Sequence, residues 1–335
     1  MAFTSPHSYR FGHYCAMSFI SFLLLGCFLL SICSGYGQND TLVNTVSGHK
    51  QVIKDIPYFI GRDTLGKKQQ LTLDLYLPIN VKGKQRFPLF VTFHGGSYLR
   101  GDKSWQEEQC NIMTDSGFVV ASVNYRLGWR LATGCMGKIN SLAQAQYRGV
   151  QDAQAALRFL AANAEKFHID TSWIFIGGES AGAAIALNSA YCSDEFMAVN
   201  YPQIRSKLGK LISRRKLSAP KYSIKGIYDK FGAICDSTLI KEKSAIPAIS
   251  FHGGLDELVP CNSGYFLDCC WVPAFGPLCM RRCLQAANSF SIVYIKKNGD
   301  HMPNEFSTIF TMSRAAEFFR HIMKGDPKSA FFSVE

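Results

Sequence analysis

Short apolar runs alternate with helix-length amphipathic stretches from residue 50 onward, and this pattern constrains the fold more than any other feature of the sequence. Such alternation is typical of a mostly parallel β-sheet with helices on both faces. The chain has 335 residues, of which 47% are hydrophobic, so a sizeable core is available. Seven runs are predicted strands, namely Leu71–Tyr76, Phe87–Phe93, Phe118–Asn124, Trp173–Ile176, Ile224–Ile227, Ile246–Phe251 and Phe290–Ile295.

The segment between the third and fourth predicted strands, "YRGVQDAQAALRFLAANAEKF", places apolar residues on one side at helical spacing. It predicts a helix packed on the sheet. The sequence has neither an internal repeat nor a low-complexity linker. We therefore predict a single α/β domain over residues 38–335, with insertions at 192–222 and 261–285 at the edge where loops build a site.

One strand-to-helix joint carries a serine between glycines. Residues Gly178 to Gly182, "GESAG", fit the pattern G-x-S-x-G and lie between the apolar "SWIFIGG" and the small-residue "AGAAIAL". In that context the pattern is a nucleophile elbow, whose tight turn excludes bulky neighbours and exposes the hydroxyl of Ser180 at the helix N-terminus. The alternative interpretation is a glycine-rich turn of any α/β protein.

The segment "FHGGSYLRGDK" directly follows the predicted strand Phe87–Phe93. Acyl transfer places negative charge on a carbonyl oxygen, and each backbone N–H aimed at that oxygen is worth about 3 kcal/mol. We predict an oxyanion hole formed by the amides of Gly95, Gly96 and Ala181. The alternative is a plain glycine loop, and His94 is expected to support this loop rather than act as a base.

A serine nucleophile needs a base, and the base needs a carboxylate that orients it. In this architecture the acid and then the histidine follow the serine along the chain. Three histidines follow Ser180. His252 ends a predicted strand and is expected to be structural, and His321 belongs to an amphipathic terminal helix. His301, in the loop "NGDHMPN" after the last predicted strand, is therefore the predicted base.

The predicted acid is Asp256, in "HGGLDELVP" a few residues after the strand Ile246–Phe251. Its neighbour Glu257 and the earlier Asp236, which follows "FGAIC", are the alternatives. The 45 positions from Asp256 to His301 leave room for the cysteine-rich insertion.

The first 37 residues differ from the rest, because Arg10 is their only Lys or Arg and an apolar run extends over Phe19–Ile32. They predict a secretory signal peptide cleaved near residues 34–38, and hence a periplasmic or extracellular protein. An uncleaved anchor is the main alternative, since apolar character reaches back to Cys15 and approaches the ~18 residues of a membrane span. A lipoprotein signal, "LLGC" ending at Cys27, ranks third.

The sequence contains twelve cysteines, and removal of the leader with Cys15, Cys27 and Cys33 leaves nine. Such a number indicates an oxidising compartment and structural disulfides. Because nine is odd, one thiol is left over or pairs elsewhere. The adjacent Cys269 and Cys270 do not follow zinc-ligand spacing and no histidine lies near them, so disulfides are favoured over a metal site. Five of the nine lie in one short segment, namely Cys261, Cys269, Cys270, Cys279 and Cys283.

The formal charge of +11 changes little when Arg10 is removed with the leader. Basic residues are densest at residues 206–225, "SKLGKLISRRKLSAPKYSIK". The run contains no motif of interleaved basic and aromatic residues of the kind found in nucleic-acid sites, so we interpret it as a solvated face and expect no nucleic-acid partner. An acidic polysaccharide or an anionic envelope surface is the alternative partner.

Taken together, these motifs resemble the α/β-hydrolase superfamily, specifically its carboxylesterase and lipase branch with an HGG oxyanion loop. The similarity covers most of residues 65–325, including "LDLYLP", "FVTFHGGSYLRGDKS", "GFVVASVNYRLG" and "FHGGLDELVP". The form GESAG is similar to type-B carboxylesterases, whereas the "LDLYLP…HGG…GDK" layout looks more like bacterial feruloyl and acetyl-xylan esterases. The resemblance implies an α/β-hydrolase fold with loop or lid insertions. It gives Ser180, Asp256 and His301 the roles of nucleophile, acid and base, and the oxyanion role to Gly95, Gly96 and Ala181.

The sequence departs from that family pattern at Ser97, where a third glycine is common, at Ala183 after the elbow, and in the segment from Cys261 to Cys283. The resemblance implies a serine carboxylic ester hydrolase that works through an acyl-enzyme, with no cofactor and no metal, and the leader predicts that it is exported. Its expected substrate is a small-molecule or carbohydrate-linked ester. Three tryptophans in loops could stack on an aromatic acyl group or a sugar ring, or simply cover core edges: Trp105, Trp129 and Trp271.

Three alternatives remain open from the sequence. A serine peptidase or lactonase of the same fold would share these motifs. A non-catalytic binding or adhesion module is a second alternative, since a fold does not determine a function. The third is a membrane-tethered scaffold held by residues 15–33, and membrane contact is expected only where this segment stays uncleaved. The sequence indicates no oligomeric state.

Overall fold

The computed structural model describes residues 44–47, 50–78, 83–130, 135–137, 140–211 and 222–335. The predicted leader lies outside the described residues, as does part of the basic run, residues 212–221. Within the described ranges, none of the helices combines the length and the apolar character that crossing a membrane requires.

Ten strands of the described chain form one sheet. They are β1 (Asn44–Ser47), β2 (Lys50–Arg62), β3 (Lys68–Pro78), β4 (Phe87–Phe93), β5 (Val119–Val123), β6 (Ile169–Glu179), β7 (Ile224–Lys230), β8 (Ala248–Gly253), β11 (Ser291–Lys296) and β12 (Ala330–Val334). Two short strands, β9 (Ser263–Tyr265) and β10 (Pro273–Phe275), form a separate two-stranded sheet. The sheet order is β1-β2-β3-β5-β4-β6-β7-β8-β11-β12. The strands from β5 to β12 are parallel, and β1, β2 and β3 extend the sheet antiparallel. This is the mostly parallel sheet that the sequence predicts.

The helices alternate with the strands along the chain. They are α1 (Glu107–Asp115), α2 (Ser141–Ala162), α3 (Ala181–Tyr191), α4 (Asp194–Asn200), α5 (Pro202–Leu208), α6 (Pro277–Ala286) and α7 (Thr308–Lys324). Helix α2 begins where the side chain of Asn140 accepts a hydrogen bond from the amide of Ala143, at 2.7 Å. It contains the helical pattern found in the sequence and ends at Ala162.

Apolar side chains on both faces of the sheet bury it between two helical layers. In β4, Leu89 and Val91 belong to a core shared with α2 and α3. Phe90 points to the opposite side, where Met113 of α1 and Phe319 of α7 pack against it in a second core. Strands buried on both faces read as continuous apolar runs, as these do. The carboxyl ends of the parallel strands therefore meet at one edge, where loops can build a site.

Six of the seven predicted strands lie within the observed strands or differ from them by one residue at each end. Five observed strands were not predicted, namely β1, β2, β9, β10 and β12. The predicted strand Ile246–Phe251 starts two residues before β8. In β2 the register with β3 shifts twice, between Ile53 and Ile56 and between Pro57 and Phe59. Such irregularities interrupt the alternation of apolar and polar residues that identifies a strand.

The two predicted insertions differ in structure. Residues 192–222 contain α4 and α5, and the rest of that segment is largely outside the described residues. Residues 261–285 contain β9, β10 and most of α6. Cys135 and Cys269 lie at disulfide distance, with 5.2 Å between their Cα atoms, and so link this insertion to the loop before α2. The division of the chain into one domain with two insertions stays a prediction.

Candidate active site

The serine of the predicted elbow lies between β6, which ends at Glu179, and α3, which begins at Ala181. Its backbone angles are φ 52° and ψ −119°. A side-chain-bearing residue in such a conformation stores about 1–3 kcal/mol of strain. The amide of Ser180 donates to the carbonyl of Lys230 in β7, at 2.8 Å, which helps to hold the turn in this conformation.

The two glycines of the elbow are required by the close approach of β4. A Cβ atom on Gly178 would lie 2.4 Å from the carbonyl oxygen of Phe93, and one on Gly182 would lie 1.9 Å from the same oxygen. Both distances are far shorter than van der Waals contact. The sequence pattern therefore reflects a steric requirement, because the backbone of β4 occupies the space of any side chain at these positions.

Three side chains from separate loops form one hydrogen-bonded line at the carboxyl edge of the sheet. The Oγ atom of Ser180 lies 2.8 Å from Nε2 of His301, and Nδ1 of His301 lies 2.7 Å from Oδ2 of Asp256. Asp256 follows β8 and His301 follows β11, and these two strands are neighbours in the sheet. With Nδ1 donating to the carboxylate, Nε2 is free to accept the serine proton.

The carboxylate of Asp256 is held by four donors. Its Oδ1 atom accepts hydrogen bonds from the amides of Leu258 and Val259, each at 2.9 Å. Its Oδ2 atom lies close to both His301 and Nε2 of His252, the latter at 3.2 Å. Burial alone would raise the pKa of Asp256, but the hydrogen bonds from the two histidines outweigh it and hold that pKa well below its usual range. The carboxylate is therefore charged at neutral pH.

The predicted oxyanion loop lies against the elbow. A Cβ atom on Gly95 would be 3.2 Å from the carbonyl oxygen of Glu179, and Gly96 adopts a φ of 107°. The amides of Gly95, Gly96 and Ala181 donate no hydrogen bond to any acceptor in the described part of the chain. Backbone N–H groups that are unpaired beside a serine hydroxyl can stabilise negative charge that develops there.

His94 packs against this loop, in the supporting position that the sequence suggests. The side chain is buried, and its Nδ1 atom lies 2.7 Å from the carbonyl oxygen of Gly95. The ring stacks on Tyr125 with 4.4 Å between centroids, and the hydroxyl of Tyr125 donates to the carbonyl of His94 at 2.8 Å. Burial lowers the pKa of His94, so the ring is neutral. The contribution of Tyr125 has no signal in the sequence, because it depends on a neighbouring strand.

Comparison with known proteins adds an independent observation. The BD-FAE family model matches residues 73–237, a range that contains Ser180. The isoprenylcysteine alpha-carbonyl methylesterase ICME of Arabidopsis thaliana is 26% identical over 265 residues, which cover 72% of this chain and 56% of the plant protein. The chain thus spans about half the length of that curated relative.

Two solved structures have a similar fold. A thermophilic esterase of the Planctomycetes species Thermogutta terrifontis, with propionate bound, gives a TM-score of 0.54 at 17% identity, covering 79% of this chain and 94% of that one. A truncated carbohydrate esterase from gut microbiota gives a TM-score of 0.52 at 17% identity, covering 82% and 96% of the two chains. The chain is thus similar to carboxylesterase-type proteins with the α/β-hydrolase fold. The fold class and the resemblance that the sequence indicates are thereby confirmed.

In this α/β-hydrolase, the two departures from the family pattern near the serine both have close neighbours. Ser97 has a φ of 54°, and its carbonyl accepts a hydrogen bond from Nε1 of Trp129 at 2.8 Å. The methyl group of Ala183 occupies the space beside Gly232, where an added Cβ would approach it to 2.5 Å. The oxyanion loop and the first turn of α3 are therefore tightly packed despite the substitutions.

The alternative acids and bases of this α/β-hydrolase lie away from the serine. Asp236 caps a short 3-10 turn, where its carboxylate accepts from the amide of Thr238 at 2.9 Å. Glu257 is exposed. His321 lies at the end of α7 and pairs with Asp326 at 3.0 Å. Of the candidates weighed in the sequence, the structure brings only Asp256 and His301 together with the serine.

Two residues beside the site escaped the sequence analysis. His252, interpreted there as structural only, is fully buried and contacts the carboxylate of Asp256 as well as the carbonyl of Val259, the latter at 2.9 Å. His252 lies near the end of β8, four residues before Asp256. This spacing is the sequence signal that could have indicated the contact. The buried amine of Lys230 pairs with Glu179 of the elbow at 2.6 Å. That pair joins two strands and has no local signature.

Among the described residues, no three or more His, Cys, Asp or Glu side chains group into a set that could hold a metal ion. The expectation that this α/β-hydrolase needs no metal or cofactor stays a prediction.

Proposed function

We propose that this chain is a serine hydrolase that cleaves carboxylic esters through an acyl-enzyme intermediate, and that it is exported. The observation that supports the reaction best is the hydrogen-bonded line from Ser180 through His301 to Asp256, beside backbone amides that lack an acceptor. The geometry matches the roles that nucleophilic catalysis by serine requires.

In the first half of the reaction, Oγ of Ser180 attacks the ester carbonyl carbon while its proton passes to Nε2 of His301. The charged carboxylate of Asp256 stabilises the imidazolium that forms. The amides of Gly95, Gly96 and Ala181 stabilise the oxyanion of the tetrahedral intermediate. As that intermediate collapses, the bond to the alcohol breaks, and His301 donates its proton to the departing oxygen.

In the second half, a water molecule attacks the acyl carbon and gives a proton to Nε2 of His301. The new oxyanion occupies the same position as the first. Its collapse releases the carboxylic acid and returns the proton to Oγ of Ser180. Both halves use only the side chains and amides named above.

The proposed substrate is a small-molecule or carbohydrate-linked ester. The names of the methylesterase and of the carbohydrate esterase support an ester in general. Trp105 follows the oxyanion loop and exposes 60% of its surface, with its ring 6.2 Å from that of His94. An exposed indole at this position can stack on a sugar ring or an aromatic acyl group.

The test uses the oxidised protein without its leader, assayed on short-chain p-nitrophenyl esters, methyl ferulate and acetylated xylan. We expect Ser180→Ala to lower kcat by about 10⁴-fold or more. Ser189→Ala, which removes a buried hydroxyl from the same helix α3, is the matched control and should retain activity. Equal turnover by wild type and Ser180→Ala would contradict the mechanism.

The same preparation separates the alternative functions. Hydrolysis of peptide p-nitroanilides without hydrolysis of aryl esters would identify a peptidase. Absence of turnover on every ester, with no covalent labelling of Ser180 by an alkyl phosphonate, would favour a non-catalytic binding module. The hydrogen-bonded line supports the hydrolase, because binding alone does not require a serine, a histidine and a carboxylate in this order.

Export rests on the apolar leader and on one pair, Cys135 and Cys269, at disulfide distance. Disulfides persist in oxidising compartments. N-terminal sequencing of the protein recovered outside the cytoplasm tests the proposal. A new N-terminus near residues 34–38 would support a cleaved signal peptide, whereas an intact leader in the membrane fraction would support the tethered form.

A further inference from the structure

A cavity of about 800 Å³ lies between the end of β2 with the turn to β3, one face of α2 and the end of α5 with the residues that follow it. None of the catalytic candidates lines it. Seven basic side chains do so, namely Arg62, Lys68, Arg126, Arg148, Arg158, Lys207 and Lys210. Among the described residues, the single acidic side chain of the lining is Asp63, whose Oδ1 atom already accepts the amides of Leu65 and Lys67 at 2.9 Å each.

Arg148 is the least exposed of these cations and forms no direct ion pair among the described residues. It is 4% exposed, and its Nη2 atom donates to the carbonyl of Gly128. Its Nε atom is buried without a partner, and in the described chain the guanidinium forms no ion pair with a carboxylate. Burial and repulsion from Arg126 lower the pKa of Arg148 to about 10 against the smaller opposing effect of the carboxylates of Asp152 and Asp63, so the group is still charged at neutral pH.

The guanidinium of the neighbouring Arg126, in contrast, is paired directly with a carboxylate. Its Nη2 atom lies 2.7 Å from the buried carboxylate of Asp152, and its remaining donors reach Gln151 at 3.0 Å and the carbonyl of Arg62 at 3.2 Å. The hydrogen bonds of Asp152 thus go to Arg126, and its charge acts on Arg148 without a direct ion pair. A buried charge without a directly paired partner is costly.

The mouth of the cavity is also positive. Lys207 and Lys210 are exposed there, and Arg158, whose pKa is lowered by burial, lies on the α2 wall. Clefts lined by charge of one sign concentrate ligands of the opposite sign. The buried guanidinium of Arg148 and the exposed amines of Lys207 and Lys210 thus make the cavity positively charged from its mouth inward, which favours an anionic ligand.

We propose that this cavity binds a small multivalent oxyanion, one that carries two or more carboxylate, sulfate or phosphate groups. The planar fork of a guanidinium suits the paired oxygens of such groups. The volume lies within the range of small-molecule sites, about 300–1,000 Å³. Because Arg148 lies at the bottom of a recess, the ligand has to be a small molecule or a short oligosaccharide end rather than a flat anionic surface.

The test is direct binding, measured by isothermal titration calorimetry on the leaderless protein at constant ionic strength. Pyrophosphate and tri-galacturonate are the two anionic probes, and neutral galactotriose is the uncharged control. We expect saturable binding at one site per chain for at least one anion and none for galactotriose. Preference for pyrophosphate or for tri-galacturonate distinguishes a phosphorylated from a uronic-acid ligand.

The double variant Lys207→Glu/Lys210→Glu changes the mouth of the cavity at exposed positions. It should weaken binding at least about tenfold. The matched control, Lys241→Glu/Lys243→Glu, makes the same change of net charge at exposed positions outside the cavity, and its affinity should stay within about twofold of wild type.

Arg148→Gln should abolish saturable binding. If this variant does not fold, the lysine variants still decide the outcome, since their positions are exposed. Binding rather than activity is the readout, because Gly128, which Arg148 contacts, also donates to the carbonyl of Tyr98 in the oxyanion loop at 2.7 Å. No saturable binding of either anion, or an equal loss in both double variants, would overturn the proposal. Saturable anion binding by a protein that lacks esterase activity would support the anion site and contradict the proposed function only.

Discussion

Two substitutions at Ser180 separate the strain of the elbow from its chemistry. Ser180→Ala and Ser180→Gly both remove the hydroxyl and its hydrogen bond to His301, so both should be inactive. They differ at the backbone, where φ is 52°. Glycine relieves a strain of about 1–3 kcal/mol that alanine keeps. Glycine also costs about 0.4–1 kcal/mol in unfolded-chain entropy. The net expectation is that Ser180→Gly is more stable than Ser180→Ala by roughly 0.5–2 kcal/mol.

Equilibrium unfolding in urea measures this difference, provided that the two variants share one m-value. The control is Ser206, an exposed position in α5 with ordinary helical geometry. There Ser206→Gly should be less stable than Ser206→Ala by about 1 kcal/mol. The order of the two residues thus reverses between the sites. If Ser180→Ala were as stable as Ser180→Gly, or more stable, the elbow would not be strained, and the argument from its backbone angles would be wrong.

Three further substitutions test other parts of the structure. Gly182→Ala places a methyl group 1.9 Å from the carbonyl oxygen of Phe93. Thermal unfolding should show that the free energy of unfolding falls by about 3 kcal/mol or more. An unchanged Tm would refute the steric argument. Asp256→Asn should lower kcat on an aryl ester about 10⁴-fold with little change in KM, whereas a fall of less than about tenfold would remove Asp256 from the mechanism. Burial raises the pKa of Asp229, so the folded chain holds that proton more tightly than the unfolded chain, and stability falls as pH rises above about 4. Asp229→Asn should therefore raise Tm at pH 7 but not at pH 3, and an equal or opposite effect at the two pH values would contradict this sign.

The serine, histidine and acid are found from the sequence because each follows a strand that the apolar pattern identifies. The order of the strands then places Asp256 and His301 at one edge of the sheet. The elbow has an additional local signal, since the approach of Phe93 forces glycine at two fixed positions. In these cases a local sequence pattern predicts that residues far apart in the chain lie close together in the fold.

The remaining features depend on contacts between distant segments and leave no such pattern. Tyr125, which contacts the oxyanion loop, comes from the segment after β5, and Cys135 pairs with Cys269 across 134 positions. The lack of a direct ion pair at Arg148 appears only when the partners of Arg126 are known. In the sequence, Arg148 is one more cation on the polar side of an amphipathic helix. His252 was assigned a structural role because its contact with Asp256 needs the turn after β8 to fold back.

The central claim is that Oγ of Ser180 carries the acyl group during turnover. The protein is mixed with p-nitrophenyl acetate, quenched in acid within the first turnover, digested and analysed by peptide mass spectrometry. We expect one acetyl group per chain on the peptide containing Ser180, and no such group in Ser180→Ala. Acetylation at a different residue during productive turnover, or steady hydrolysis with no acetylated peptide and no burst of p-nitrophenol, would contradict it.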